Sequence, residues 1–225
     1  MKKKNRTPVR KAAKPRKGRA GSKAAVSKRT PTDRGKAAIR RLQSELAEAR
    51  ELVEKLQASA DTDFLLGILN RRGFERELNR SIAYIKRYHA SGALIALDVD
   101  RLKPINDAFG HAAGDQVLKA VVAVITRQVR ASDVVGRLGG DEFAVLLWNL
   151  SETDARAKAS ALEQAIDRLS FVFGSQTATA GASAGVASLD AHSEPVRALE
   201  EADRAMYVRK AQRRHERNGA AARAP

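Results

Sequence analysis

The chain has 225 residues, with 42 Lys+Arg against 26 Asp+Glu and a formal net charge of +16. It contains no cysteine, which excludes disulfides and zinc–thiolate sites. No run approaches the roughly 18 apolar residues of a membrane span, and the basic N-terminus lacks the apolar core of a secretory signal. The expectation is a cytoplasmic protein with one domain of roughly 150–165 residues and an appendage.

The excess charge lies at one end. Residues 1–41 hold 17 Lys+Arg and a single acid, Asp33, while the rest of the chain is electrically balanced. With only Val9, Val26 and Ile39 as branched aliphatics, this stretch cannot bury enough apolar surface to offset the entropy of ordering. Residues 1–36 therefore read as a disordered polybasic tail. Nucleic acid and an anionic membrane surface are its candidate partners, and a solubilising tail with no fixed partner fits equally well.

Next, Ile39, Leu42, Leu46, Ala49, Val53, Leu56 and Ala60 keep a 3-4 spacing, with Glu45, Glu48, Arg50, Glu51, Glu54 and Lys55 on the flanks. Residues 37–60 read as an amphipathic helix, either a short coiled coil between two copies or a helix packed on its own domain. About three heptads containing two alanines make a marginal dimer. From Arg71 to about Arg87, Phe74, Leu78, Ile82 and Ile85 recur at helical spacing. The apolar run Ala93–Leu97 then ends in Asp98-Val99-Asp100, as a buried central strand with acids at the sheet rim would. Strand alternation puts Asp98 and Asp100 on one face.

Val117, Leu118, Val121, Val122, Ile125 and Val129 mark another helix, with Asp115 at its start. Val134-Val135, the turn Gly139-Gly140-Asp141-Glu142 and the run Phe143–Leu147 read as strand, tight turn, strand. A helix from about Glu152 to Leu169, a strand from Thr177 to Ala187 and a final helix opened by Pro195 complete an α/β fold. Trp148 reads as a packing residue.

The acids near the two glycines carry the functional signal. Two unit charges about 4 Å apart repel by roughly 4 kcal/mol at an effective dielectric near 20, so a cluster of Asp98, Asp141 and Glu142 calls for a cation. Oxygen donors without thiols favour Mg²⁺ or Mn²⁺ over zinc. Each residue also has a plain alternative: the glycines and acids as hairpin punctuation, Asn106 and Asp107 as turn residues, Asp115 as a helix N-terminal acid, and Lys210 with Arg214 as a solvated helix face.

Taken together, the motifs resemble those of the GGDEF-domain diguanylate cyclases, from about Asp61 to Arg214. The residues that carry the resemblance are Asp63-Phe64-Leu65-Leu66-Gly67-Ile68-Leu69-Asn70-Arg71-Arg72, then Asp98-Val99-Asp100-Arg101-Leu102-Lys103-Pro104-Ile105-Asn106-Asp107 with Gly110-His111 and Gly114-Asp115, then Arg137-Leu138-Gly139-Gly140-Asp141-Glu142-Phe143, and finally Ala202-Asp203-Arg204-Ala205-Met206-Tyr207 with Lys210. The resemblance implies a palm-like nucleotidyl cyclase fold, a central, mostly antiparallel sheet flanked by helices. It also implies condensation of two GTP into cyclic di-GMP with release of pyrophosphate, between two facing domains of a homodimer in the bacterial cytoplasm.

In that reading Asp98, Asp141 and the Val99 carbonyl hold two Mg²⁺ (or Mn²⁺) per half-site, and Glu142 is a further ligand or base. Gly139 and Gly140 let the backbone approach phosphate. Lys103, Lys210, Arg214 and the backbone near Arg101 and Leu102 contact the triphosphate, and Asn106 and Asp115 read guanine. Asp115 also favours two guanines over a mixed product. Arg130-Ala131-Ser132-Asp133 sits at the spacing of the family's inhibitory RxxD site, where Arg130 and Asp133 would bind product. Asp63 would pair with Arg137 to pin the entry turn. Leu66, Ile68, Leu102, Pro104 and Arg213 depart from the family pattern, none at a metal or base position. Two other classes fit less well: a catalytically silent GTP or cyclic di-GMP sensor, and a nucleic-acid-binding protein acting through its basic tail.

Overall fold

The computed structural model describes residues 31–221, so most of the expected polybasic tail, residues 1–30, lies outside the described residues. The chain divides between Arg50 and Glu51 into two units. Helix α1 runs from Pro31 to Ala60, and along it Ile39, Leu42, Leu46 and Val53 are each at least half exposed.

The second unit continues as β1 (Leu69–Asn70), α2 (Arg71–Tyr88), β2 (Gly92–Asp100), α3 (Leu102–Phe109), α4 (His111–Gln128), β3 (Val134–Arg137) and β4 (Glu142–Trp148). It closes with α5 (Glu152–Asp167), β5 (Ser170–Phe173), β6 (Gln176–Thr179), β7 (Gly181–Leu189) and α6 (Pro195–Ala221). The main sheet has the order β1-β3-β4-β2-β7. Only the β1–β3 pair is parallel.

β2 lies inside this sheet, and all nine of its residues are buried. Its two faces meet different helices, which is why the sequence shows an unbroken apolar run rather than alternation. Ile95, Leu97 and Val99 join a core with Val117, Val121 and Ile125 of α4 and with Leu162 and Ile166 of α5. Leu94 and Ala96 join Phe74, Leu78, Ile82 and Ile85 of α2 and Ala198, Ala202 and Met206 of α6. Asp98 and Asp100 extend this second face beyond the apolar core, toward α6. Two caps set the helix starts: Asn70 accepts from the Gly73 N–H at α2, and Ser151 accepts from the Asp154 N–H at α5. Trp148 packs edge-on against Tyr84 with ring centroids 5.5 Å apart, in keeping with a packing role.

Several elements differ from expectation. The segment after Asp100, where Asn106 and Asp107 have turn residues as their plain alternative, forms the helix α3. Pro104 is the third helical residue, where a missing N–H interrupts no intrahelical bond. α4 begins at His111, because Gly110 at φ 84° ends α3 and redirects the chain, so Asp115 lies inside the helix rather than at its start. The single strand expected over Thr177–Ala187 is two strands broken at Ala180. β6 instead pairs with β5 in a separate hairpin, which turns at Gly174 with φ 62°. Phe173 anchors that hairpin on Phe109 of α3, with ring centroids 4.9 Å apart.

The outer edge of β7 is covered from α5. The Ala184 N–H donates to the buried Glu163 carboxylate at 2.8 Å, and Arg209 of α6 holds Glu163 from the other side at 3.0 Å. No helix among the described residues is long and apolar enough to cross a membrane.

α6 lies very close to β7. A Cβ on Gly185 would come 2.0 Å from the Met206 N and 2.3 Å from the Ala202 O, both backbone atoms that cannot rotate aside. Gly185→Ala is therefore expected to destabilise the domain by about 1–3 kcal/mol, read as a lower urea midpoint; an unchanged midpoint would show that α6 shifts without cost.

Candidate active site

Antiparallel pairing sets Asp98 opposite Glu142, and the Val99 N–H donates to the Asp141 carbonyl at 2.9 Å. The end of β2 and the start of β4 thus bring Asp98, Asp100, Asp141 and Glu142 to one rim of the sheet. The intervening turn is held by Arg137. Its Nε donates to the Gly139 carbonyl at 2.9 Å, and a terminal nitrogen donates to the Gly140 carbonyl at 2.7 Å. The guanidinium is fixed in turn by Asp63 at 3.0 Å, as the resemblance implied. The other Asp63 oxygen accepts the Leu65 and Leu66 N–H groups, at 3.0 and 2.9 Å. One acid therefore ties the entry turn to the hairpin turn. In a trans peptide the C=O and the following N–H point oppositely, so the N–H groups of Gly140 and Asp141 face away from Arg137.

The glycines serve close approach. The Glu142 carboxylate folds over Gly139, where a Cβ would lie 2.8 Å from Oε2, and the space beside Gly140 is open. Arg71 donates to the Leu138 carbonyl at 2.7 Å and places its guanidinium 3.7 Å from Glu142. Arg71 thus joins the site through the start of α2, a residue quoted in the entry motif without a role.

Asp98 is buried and accepts from Lys210 Nζ at 2.6 Å. Burial pushes its carboxyl above the usual carboxylate range, Lys210 pulls the other way, and the charges of Asp141 and Asp100 add to the rise. Asp100 accepts from the Ser183 hydroxyl at 3.2 Å and faces Arg213 Nε at 3.5 Å. Arg213 also reaches Asp167 at 2.6 Å. Arg213, seen in the sequence only as a departure, is an anchor for this rim. Its place three residues beyond Lys210 on a helix was the signal available.

The remaining expected residues are distributed as follows. Arg101 adopts a left-handed backbone at φ 68° and sends its guanidinium to the Ala180 carbonyl at 3.0 Å. Leu102 is buried, and Lys103 is exposed on the first turn of α3. Asn106 of α3 lies against Gly114 of α4, so that a Cβ there would sit 1.9 Å from its Oδ1. That Oδ1 is buried with no hydrogen-bond partner among the described residues, and the half-buried Asp115 follows Gly114 directly. Arg214 is exposed, one helical turn past Lys210 on α6.

Arg130 and Asp133 lie at the bend between α4 and β3. The Asp133 carboxylate accepts the Arg130 N–H at 2.8 Å and the Trp148 N–H at 3.3 Å. Beside them is a cleft of about 420 Å³ that includes Lys158 and Asp154.

The Asp98, Asp141 and Glu142 carboxylates and the Val99 carbonyl present only hard oxygen donors, which suits Mg²⁺ or Mn²⁺. No three acidic or histidine side chains among the described residues form a ready cation cage. A donor set of this kind leaves coordination positions for outside oxygen ligands, the usual manner of holding Mg²⁺. The raised, crowded Asp98 carboxyl is the feature that a divalent charge would relieve.

A family described as "Diguanylate cyclase, GGDEF domain" matches residues 60–216. The diguanylate cyclase TpbB of Pseudomonas aeruginosa is 40% identical over 181 residues, which are 78% of this chain and 41% of TpbB. The probable diguanylate cyclase DgcE of Escherichia coli is 34% identical over 167 residues, 74% of this chain and 15% of DgcE. The chain thus spans less than half the length of these relatives. Among solved structures, the coiled coil and GGDEF domain of DgcB from Caulobacter crescentus, in complex with c-di-GMP, superposes with a TM-score of 0.69 at 27% identity, covering 79% of this chain and 94% of that one. With that match on the motif-bearing segment and that fold around the turn Gly139–Phe143, the chain belongs to the GGDEF-domain family.

Proposed function

We propose that this chain is a diguanylate cyclase that condenses two GTP into cyclic di-GMP and two pyrophosphates in the bacterial cytoplasm. The observation that carries this reading is the rim itself: acids from adjacent strands stand beside a glycine turn whose backbone is open at Gly140. Each turnover forms two bonds from a ribose 3′-oxygen to the other nucleotide's α-phosphorus. Each attack breaks the α–β bridging bond and sends a hydroxyl proton to Glu142 or to solvent.

Two Mg²⁺ or Mn²⁺ per half-site would be held by Asp98, the Val99 carbonyl, Asp141 and Glu142, and would neutralise the entering and leaving oxygens. The chain's own groups do the rest. The N–H groups of Gly140 and Asp141 and the start of α3 at Leu102 donate to phosphate oxygens. Lys103, Lys210 and Arg214 balance the charge of departing pyrophosphate, with the Arg101 backbone shaping the turn. The unpartnered Asn106 Oδ1 accepts from guanine, and Asp115 accepts from the ring N–H and exocyclic amine that adenine does not offer together.

One chain supplies half of the reacting pair, so two copies must face each other. The exposed stripe of Ile39, Leu42, Leu46 and Val53 supports pairing of two α1 helices. The Arg130–Asp133 bend and its cleft support product inhibition, since each Asp133 oxygen keeps a lone pair for guanine beyond the backbone N–H it accepts. The polybasic segment gives the protein attraction for nucleic acid or an anionic membrane surface.

Incubation of the purified chain with GTP and Mg²⁺ is expected to yield cyclic di-GMP by mass spectrometry, and Glu142→Gln is expected to lose turnover by about 100-fold or more with an unchanged circular dichroism spectrum. Binding of GTP without product by the unaltered chain would instead make it a sensor. Deleting residues 1–60 is expected to lower activity per subunit most at nanomolar enzyme, because tethering raises the effective concentration of facing domains to about millimolar. Equal specific activity on dilution would exclude α1 pairing. Arg130→Ala is expected to weaken cyclic di-GMP inhibition by about tenfold while leaving the initial rate intact; retained inhibition would assign the bend to structure alone.

A further inference from the structure

The Asp98 carboxylate, proposed above as a cation ligand, already has a cation against it. Lys210 Nζ lies 2.6 Å from Asp98 Oδ1, and the two side chains are only 22% and 9% exposed. Water and salt screen such a pair weakly. The surroundings make Lys210 hard to do without. Asp100 and Asp141 both act on Asp98 with the same sign, and the nearby Arg213 is directed to Asp100 and Asp167 instead. α6 is fixed to α5 on both sides of this residue, by Arg209 on Glu163 and by Arg213 on Asp167. Release of Lys210 therefore needs only rotation of its own flexible side chain, whose four-carbon stem permits it.

We propose that Lys210 is the resident counter-cation of Asp98, and that an arriving triphosphate, by drawing Lys210 onto its own oxygens, frees Asp98 for a divalent ion. This rests on the cation reading of the site. An ammonium and a divalent ion compete for one crowded carboxylate, whereas a triphosphate favours both the departure of Lys210 and the arrival of the ion. Cation and nucleotide are then positively coupled, and the coupling is reciprocal. The nucleotide-free protein holds divalent ions poorly. Lys210 is on this account a positioning residue as well as a phosphate contact: it decides when Asp98 is available.

The test is Mn²⁺ binding by the full chain without nucleotide, read as loss of the free-ion electron paramagnetic resonance signal. It is run at pH 8, so that Asp98 stays ionised when its partner is removed. Lys210→Met and Lys210→Gln are expected to bind Mn²⁺ at least about fivefold more tightly than the unaltered chain, and Lys210→Arg, which keeps the charge, to stay weak. Asp98→Asn in the Lys210→Met background is expected to abolish the gain. Two neutral variants, each checked by circular dichroism, guard against a local packing defect. Equal affinity of the unaltered chain and both neutral variants, with binding still dependent on Asp98, overturns the role of Lys210 and leaves the cation site standing. Absence of Asp98-dependent Mn²⁺ binding in the neutral variants overturns this inference, and its absence from the unaltered chain even with GTP added overturns the cation reading as well.

Discussion

Negative charge gathered at one rim of a sheet governs this molecule. Folding alone gives no reason to set Asp98 opposite Glu142 and beside Asp141 and Asp100. Three of these acids are answered by something positive or polar: Lys210 at Asp98, Ser183 and Arg213 at Asp100, Arg71 near Glu142. The helices that flank the sheet are the source of these partners. α2 contributes Arg71 at its first residue, and α6 contributes Lys210 and Arg213 near its middle. The close seating of α6 on Gly185 fixes where those two side chains begin. Packing and electrostatics are therefore one arrangement here, since a looser α6 would leave the rim underbalanced.

The turn above the rim is built on a different principle. Its side chains are absent or folded aside, and its shape comes from Arg137 gripping two carbonyls, with Asp63 behind it. Rigidity supplied from beneath leaves the turn open at Gly140, while the Glu142 carboxylate folds over Gly139. The proposed contact with phosphate needs both properties, and glycine alone would give only openness.

The parts legible in the sequence were those with a local cause. Strand β2 was visible because burial on both faces demands an unbroken apolar run, and the acids after Leu97 marked where that run ends at the rim. The β3–β4 turn was visible through its glycines. Helix α3 was hidden because Pro104 and the Asn106-Asp107 pair suit a loop as well as a first helical turn. The β5–β6 hairpin was hidden because its seat on the domain comes from Phe173 meeting Phe109 across the fold. The partners of Asp98 and Asp100 were not readable as pairs, since Lys210 and Arg213 lie far along the chain and periodicity carries no information on which acid a basic residue will meet. The close approach of Asn106 to Gly114 belongs to the same class, a fact of tertiary fit.

The covering of the outer edge of β7 has a consequence for assembly. An uncovered border strand is a template on which another chain can add its own strand, and such growth has no natural end. By occupying the Ala184 N–H with a carboxylate that is itself gripped by Arg209, the domain blunts that template at its midpoint. Strand-by-strand polymerisation at this edge is thereby discouraged.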